Sequence, residues 1–191
     1  MKHDSYPHLE FKTPVEFESY LKENHDKVPG IWMKIAKKGT GVTTATYDEA
    51  LEVALCYGWI DGQVNKLDAT YYIQKFTPRT TKSPWSQRNI GIVTRLIKDK
   101  RMRAAGLERI EAAKKDGRWE NAYGGAKEAV IPEDFLKELK KDQKAYEFFL
   151  TLNKSNLFAI YYRLHTAVKP ETRERRMKVI LEMMKKNEKL Q

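Results

Sequence analysis

The sequence has 191 residues, of which 41% are hydrophobic and 32% are charged, with one cysteine and a formal net charge of +10. This composition is typical of a globular chain that can bury a core, and a single cysteine excludes an internal disulfide. No apolar run approaches the roughly 20 residues of a transmembrane helix, and the first residues lack an apolar signal-peptide core. We therefore expect a cytoplasmic protein with no transmembrane segment.

The positive charge is concentrated in residues 72–119, which carry thirteen Lys/Arg and four Asp/Glu, a formal charge of +9. We call these residues the basic region. Such a region can attract nucleic acid, phosphate ligands or acidic lipid, but it is equally typical of a solvated, lysine-rich surface.

The hydrophobic periodicity predicts an α+β fold: a small antiparallel sheet of about three strands packed with helices, followed by an all-helical C-terminal part. In the first half of the chain, Thr13 with Pro14 and Thr46 with Glu49 predict the starts of two helices. Alternating residues predict strands at "GIWMKIAKK", "GWIDGQVN" and "TYYIQKF".

Further along, Ser83 before Pro84 predicts the start of a helix, and "RMRAAGLERIEAAKKDGRW" predicts another. The stretch "ENAYGGAKEAVIP" has two glycines and a closing proline, which predicts a linker. Four segments with helical periodicity follow. We therefore predict an α+β domain over residues 1–120, a linker over 121–132, and a helical module over 133–191 packed on the first domain.

Sequence motifs for metals and cofactors are missing from the chain. There is no CxxC, HxxxH or HExxH spacing, no GxxxxGK[ST] or GxGxxG loop, and no GxSxG elbow. We therefore expect no metal ion and no cofactor.

The stretch "ALCYGWIDG", residues 54–62, holds the only cysteine where a predicted helix gives way to a strand. Cys56 lies at the C-terminal end of that helix, where the helix dipole disfavours a thiolate, and no histidine lies in an obvious partner motif. Because free cysteines are often buried as small apolar groups, we interpret Cys56 as structural and predict no catalytic residue.

Trp59 and Asp61 follow in the predicted strand and share one of its faces, where they could line a pocket. Asp61 could equally pair with a cation across the sheet, or bind backbone N–H groups near the turn.

The stretch "FTPRTTKSPWSQRN", from Phe76 to Asn89, combines cations, hydroxyls and a tryptophan with a helix N-terminus. These groups could hold an anion, although a well-capped helix needs only Ser83 and Pro84. We predict a ligand site between the sheet face and this segment, formed by Trp59, Asp61, Tyr71, Arg79, Ser83, Trp85, Ser86 and Asn89.

Three parts of the sequence carry a resemblance: "YDEALEVALCYGWIDGQV", "FTPRTTKSPWSQRN" with "LIKDKRMRAAGL", and "AVKPETRERRMKVILEMM". Together they resemble the bacterial YdeI/OmpD-associated family, over roughly residues 10–187. The resemblance implies a cytoplasmic binding or stress-protection role, linked in some members to bacteriocin or antimicrobial-peptide protection and to an outer-membrane porin. It carries over no catalytic residue.

The leading interpretation is a non-enzymatic binding protein whose partner is a small anionic ligand or another protein. One alternative is a nucleic-acid-binding protein that uses the basic region, with an affinity that falls steeply with salt. A further alternative is an enzyme with Asp61 as acid or base. The sequence predicts no oligomeric state.

Overall fold

The structure is a computed structural model and describes residues 6–190. These residues form two compact units. Unit 1 comprises residues 6–83 and 91–113, and unit 2 comprises residues 84–90 and 114–190.

The described residues form four strands and eight helices, in the order β1 (His8–Glu10), α1 (Pro14–Asn24), β2 (Ile31–Ala36), α2 (Tyr47–Cys56), β3 (Trp59–Lys66), β4 (Tyr71–Pro78), α3 (Gln87–Lys98), α4 (Ala104–Lys115), α5 (Glu133–Leu139), α6 (Gln143–Leu150), α7 (Lys154–His165) and α8 (Pro170–Lys185). Because α3 and α4 each have residues in both units, the units are interleaved along the chain. The division into domains over 1–120 and 133–191, with a linker over 121–132, stays a prediction.

The predicted α+β class is confirmed, and the C-terminal part is helical. The sheet has four strands in the order β1-β2-β4-β3, and β1 pairs parallel to β2 while the other pairs are antiparallel. The expected antiparallel sheet of about three strands is thus corrected to a mixed sheet of four. The sequence does not reveal β1 because three residues are too few to show an alternating pattern.

The starts of the first two helices are those that the sequence predicts. The Thr13 hydroxyl accepts the N–H of Glu16 at α1. At α2, the Thr46 hydroxyl accepts the N–H of Glu49 at 3.3 Å, and the Glu49 carboxylate accepts the N–H of Thr46 at 2.8 Å. The hydrogen bonds from the Thr46 backbone and hydroxyl hold the pKa of Glu49 below its usual value, which confirms a reciprocal cap.

One side of the sheet packs against helix α1 in the core of unit 1. Ile31, Met33 and Ile35 alternate along β2 and are buried, and Phe76 of β4 pairs opposite Ile31. Phe17 of α1 packs against Phe76 with ring centroids 5.7 Å apart. We call the side of the sheet that carries these residues the helix face.

A β-bulge interrupts β3 between Asp61 and Val64. Asp61 pairs with Phe76 and Val64 pairs with Gln74. The chain therefore advances three residues along β3 over the distance that takes two residues along β4, so β3 holds one extra residue. The buried Gln74 side chain donates to the carbonyl oxygens of the two residues inside the bulge, at 3.0 and 3.2 Å. These hydrogen bonds satisfy backbone groups that the irregular ladder leaves unpaired.

α3 begins at Gln87, three residues later than predicted. Its cap is Ser86, whose hydroxyl accepts the N–H of Asn89 at 3.1 Å. Ser83 instead closes a turn, because its hydroxyl accepts the N–H of Thr80 at 3.0 Å. The prediction that Ser83 caps this helix is therefore corrected.

The reason for the later start is a contact that is distant in sequence. Tyr123 donates its N–H to the carbonyl of Trp85 at 3.0 Å and accepts the N–H of Gln87 at 2.9 Å. The Trp85 ring also packs on Trp119, with centroids 5.1 Å apart. This bridge holds the backbone at Trp85 and Ser86 extended, so the helix can begin only after it.

The helices α5–α8 of unit 2 enclose an apolar core of their own. It is formed by Phe135, Leu139, Ala145, Phe149, Leu152, Ile160, Leu164, Ile180, Met184 and Leu190. At the surface of this core, the Arg173 guanidinium of α8 donates two hydrogen bonds to the Asp134 carboxylate of α5. These hydrogen bonds connect α8 to α5.

Candidate functional site

Unit 1 contains a cleft of about 540 Å³ where β2 leaves the sheet and α2 begins. Its lining residues come from the end of β2, the loop that follows, the start of α2, and β4. They are Ile35, Ala36, Lys37, Lys38, Gly39, Val42, Thr43, Thr44, Thr46, Tyr47, Asp48 and Tyr72. The volume lies within the usual range for small-molecule sites.

The cleft carries two cations and one acid, Lys37, Lys38 and Asp48. The Lys37 ammonium donates to the carbonyl oxygens of Asp68 and Ala69 in the turn between β3 and β4, which holds this charge at the edge of the cleft. Lys38 is exposed and lies on the loop itself. The balance of charge therefore favours an anion over a cation.

The loop over residues 37–46 forms one wall of the cleft. The hydroxyl of Thr44 accepts the N–H of Ala36 at 3.0 Å and anchors the loop to the end of β2. Gly39 and Gly41 have φ angles of +82° and +74°, and a Cβ at either would meet nothing within 4 Å. Glycine is favoured at both positions for the backbone conformation, and not because of crowding.

Two tyrosines add hydroxyl groups to the cleft. Tyr47, the first residue of α2, donates its hydroxyl to Oδ2 of Asp61 at 2.9 Å. Burial, and then the charge of Asp48, raise the pKa of Tyr72 above its usual value. Tyr72 therefore stays neutral near pH 7 and can donate a hydrogen bond to a ligand.

The eight residues of the predicted site fall in both units, five in unit 1 and three in unit 2. Trp59 and Asp61 share the helix face, as predicted from the alternation of β3. Trp59 is fully buried and donates its indole N–H to the carbonyl of His25 at 2.9 Å. Tyr71 pairs with Ala36 and lies on the opposite face, so the structure does not bring it together with Asp61.

The other two residues in unit 1 are Arg79 and Ser83. Arg79 is only 2% exposed, and its backbone N–H donates to the carbonyl of Gly58 at 2.9 Å. Ser83 closes the turn with Thr80. The backbone N–H of Arg79 and the hydroxyl of Ser83 therefore both stabilise the backbone that follows β4.

The three residues in unit 2 are Trp85, Ser86 and Asn89. Trp85 is buried against Trp119, and Ser86 and Asn89 form the cap of α3 described above. These contacts give Trp85, Ser86 and Asn89 structural roles. A ligand site at the eight residues stays a prediction.

Ion pairs reduce the free charge of the basic region. Arg95 and Arg101 both donate to the Glu52 carboxylate of α2, and Arg103 donates to Glu18 of α1. Burial would raise the pKa of Glu52, but the hydrogen bonds from Arg95 and Arg101 outweigh it and lower that pKa. Glu52 and Glu18 lie outside residues 72–119 and are not counted in the formal charge of +9. In the fold they neutralise part of that charge, so the net charge near these arginines is lower than +9 suggests.

Cys56 is buried at the end of α2, as its structural interpretation predicts. Burial raises the pKa of its thiol to about 11. Its carbonyl accepts the N–H of Arg103 at 3.2 Å, and the following turn continues into β3. The stretch "ALCYGWIDG" is therefore the joint at which α2 passes into β3.

We expect Cys56 to react with a thiol reagent such as DTNB at pH 8 about 100-fold or more slowly in the native protein than in the unfolded one. The reason is that a thiol with a pKa of about 11 is almost entirely protonated at that pH, whereas an ordinary cysteine is partly ionised. The measurement compares labelling rates with and without denaturant, and similar rates would contradict the buried placement.

Within residues 6–190, no group of three His, Cys, Asp or Glu side chains is placed to hold a metal ion. In the same part of the chain, none of the helices combines the length and the apolar character needed to cross a membrane.

Sequence reasoning missed the cleft and its residues Lys37, Lys38 and Tyr47. The available signal was "KKGTGVTTAT", in which two lysines precede two glycines and several threonines. Glycines and threonines in this order are typical of any loop, so the composition does not by itself predict a binding cleft. The contact between Tyr47 and Asp61 has no local signal, because the two residues belong to different elements.

Two family models match the chain. Residues 9–109, a little more than half of it, match the family described as Domain of unknown function (DUF8412). Residues 128–187 match the family described as Bacteriocin-protection, YdeI or OmpD-Associated, which confirms the resemblance to that family over this segment, where "AVKPETRERRMKVILEMM" lies. The other two resembling parts lie within residues 9–109. No curated protein and no solved structure matches the chain.

Proposed function

We propose that this chain, which belongs to the family described as Domain of unknown function (DUF8412) and carries a C-terminal segment of the Bacteriocin-protection, YdeI or OmpD-Associated family, is a binding protein for a small anionic ligand. The observation that carries the proposal is the cleft of unit 1, where Lys37 and Lys38 stand against the single acid Asp48. A cytoplasmic role in stress or bacteriocin protection is part of the proposal and rests on the family description and the resemblance.

The cleft suits an anion that also has a small apolar body. Ile35, Val42 and the ring of Tyr72 supply apolar surface, on which such a body can be buried. Because Lys37 is held by the turn carbonyls, we expect Lys38 to contact the anionic group directly. Lys37 then contributes to the local positive potential.

Benzoate is the probe that we would use, with benzamide as its neutral counterpart of nearly the same shape. In an NMR titration of the ¹⁵N-labelled full chain, benzoate should shift the amide signals of residues 36–48 and of Tyr72. Lys38→Ala should weaken benzoate binding about 5-fold, the effect of losing one ionic contact at an exposed position.

The matched control is Lys22→Ala, which removes an exposed lysine of α1 that does not line the cleft. It should leave benzoate binding unchanged. Equal responses to benzoate and benzamide, or equal effects of the two lysine variants, would show that the cleft does not select anions.

Two other functions have less support. For nucleic-acid binding through the basic region, Arg79 is buried, and Arg95, Arg101 and Arg103 are already paired with acids. For catalysis, Oδ2 of Asp61 is already bound by the Tyr47 hydroxyl. A DNA affinity that drops steeply between about 50 and 200 mM salt would restore the first of these candidates.

A further inference from the structure

β3 is an edge strand with an exposed outer part. It pairs only with β4, and in the part of the chain that the structure describes no strand pairs with its other side. Residues 62–66 are all exposed. An edge of this kind presents backbone N–H and C=O groups to which another strand can bind.

The bulge in β3 determines which side chains share a face. In a regular strand Asp61 and Lys66, five positions apart, would point to opposite sides. Because the bulge adds one residue, Asp61, Val64 and Lys66 pair with alternate residues of β4 that share the helix face. Val64 is 61% exposed there, so none of the described helices covers its side chain.

We propose that β3 pairs antiparallel with β3 of a second copy of this chain, about a two-fold axis at Val64. In this register the two Val64 side chains meet on the axis. Lys66 lies two steps from the axis in one direction. Asp61 lies two residue positions from the axis in the opposite direction, when the bulge residues Gly62 and Gln63 are counted as a single position. Each Lys66 therefore stands opposite Asp61 of the other copy.

The match of charge and apolar groups is the reason for choosing a second copy as the partner. A two-fold interface uses the same surface twice, so it requires a sequence that complements itself about the axis. Here the register gives an apolar pair at the centre and an ion pair on each side. The intervening Gly62, Gln63 and Asn65 are uncharged, so no like charges stand opposite each other.

The interface is small, since about five residues of each copy take part. Such a strand pair buries less than the roughly 1,200 Å² of a stable specific interface. The dimer is therefore weak and forms at high protein concentration. It does not depend on the proposed ligand cleft, and its test is separate.

Sedimentation velocity of the full chain, from about 20 µM to about 1 mM, measures this association. The wild type should shift from monomer towards dimer as its concentration rises. Val64→Lys should remain monomeric, because it places two ammonium groups on the axis. Val15→Lys makes the same change at a residue of α1 that is 68% exposed, and should behave as the wild type does. Circular dichroism would establish that both variants are folded.

A second measurement captures a weak dimer covalently. Directly opposite residues of antiparallel strands have Cβ atoms about 4.5–5.5 Å apart, close to the spacing that a disulfide spans. Val64→Cys should therefore form a cross-linked dimer under mild oxidation about 10-fold faster than Val15→Cys. The native Cys56 is buried and does not compete.

Three results would overturn the proposal: a wild type that is monomeric at about 1 mM, a dimer that Val64→Lys leaves intact, and equal cross-linking rates for the two cysteine variants. Binding of β3 to a different protein while the pure chain stays monomeric would also count against a second copy as the partner.

Discussion

Replacing Gly106 by alanine is expected to lower the free energy of unfolding of unit 1 by about 3 kcal/mol or more. Gly106 lies in α4, where this helix crosses the end of α2. A Cβ at this position would overlap the carbonyl oxygen of Cys56 and lie 2.8 Å from that of Leu55. Because both oxygens belong to the backbone of α2, they can yield only if the two helices move apart and lose part of their packing.

Gly91 supplies the matched control for this substitution. It lies inside α3, and a Cβ there would meet nothing within 4 Å. Gly91→Ala should therefore raise the free energy of unfolding by about 0.5–1 kcal/mol, because alanine restricts the unfolded chain and favours a helix. Urea denaturation followed by circular dichroism measures both variants. Effects of the same sign would contradict the packing of α4 on α2.

Trp59→Ala is expected to lower the free energy of unfolding by about 3–5 kcal/mol, the usual effect of removing a buried aromatic side chain. Trp59 is fully buried, and its indole N–H donates to the carbonyl of His25. The substitution would leave a cavity in the core of unit 1 and a carbonyl without its hydrogen bond. Urea denaturation of the full chain measures the loss.

Two further variants separate the contributions at Trp59. Trp59→Phe keeps most of the apolar contact and loses the indole hydrogen bond, so its effect should be smaller than that of alanine. Val15→Ala, at an exposed position, should change the stability by less than about 0.5 kcal/mol. If Trp59→Ala kept the full stability and altered only the binding of benzoate, Trp59 would belong to a ligand site and not to the core.

Helix caps and alternating strands were predictable because their signals lie within a few residues. Thr13 and Thr46 are positioned to accept N–H groups three residues on, and the structure shows both hydrogen bonds. Ile31, Met33 and Ile35 recur at every second position and are buried, as the two-residue period of a strand predicts. Such patterns depend on local geometry, which the order of the residues already specifies.

The start of α3 shows where local signals fail. Ser83 and Ser86 are both suitable caps by residue type. Which of the two serines caps α3 depends on the backbone bridge between Trp85 and Tyr123. Helices α3 and α4 lie between these two residues in the sequence. No pattern near Ser83 contains that information.

The sequence by itself determined the α+β class, the order of most elements, the caps of α1 and α2, and the structural character of Cys56. Each of these follows from periodicity, capping chemistry or burial preference, which act over short stretches of chain. Only the tertiary structure decided that β1 joins the sheet, that Glu52 and Glu18 bind the arginines of the basic region, and that the cleft forms beside Tyr47. These features depend on contacts between residues far apart in sequence, and such contacts exist only once the chain has folded.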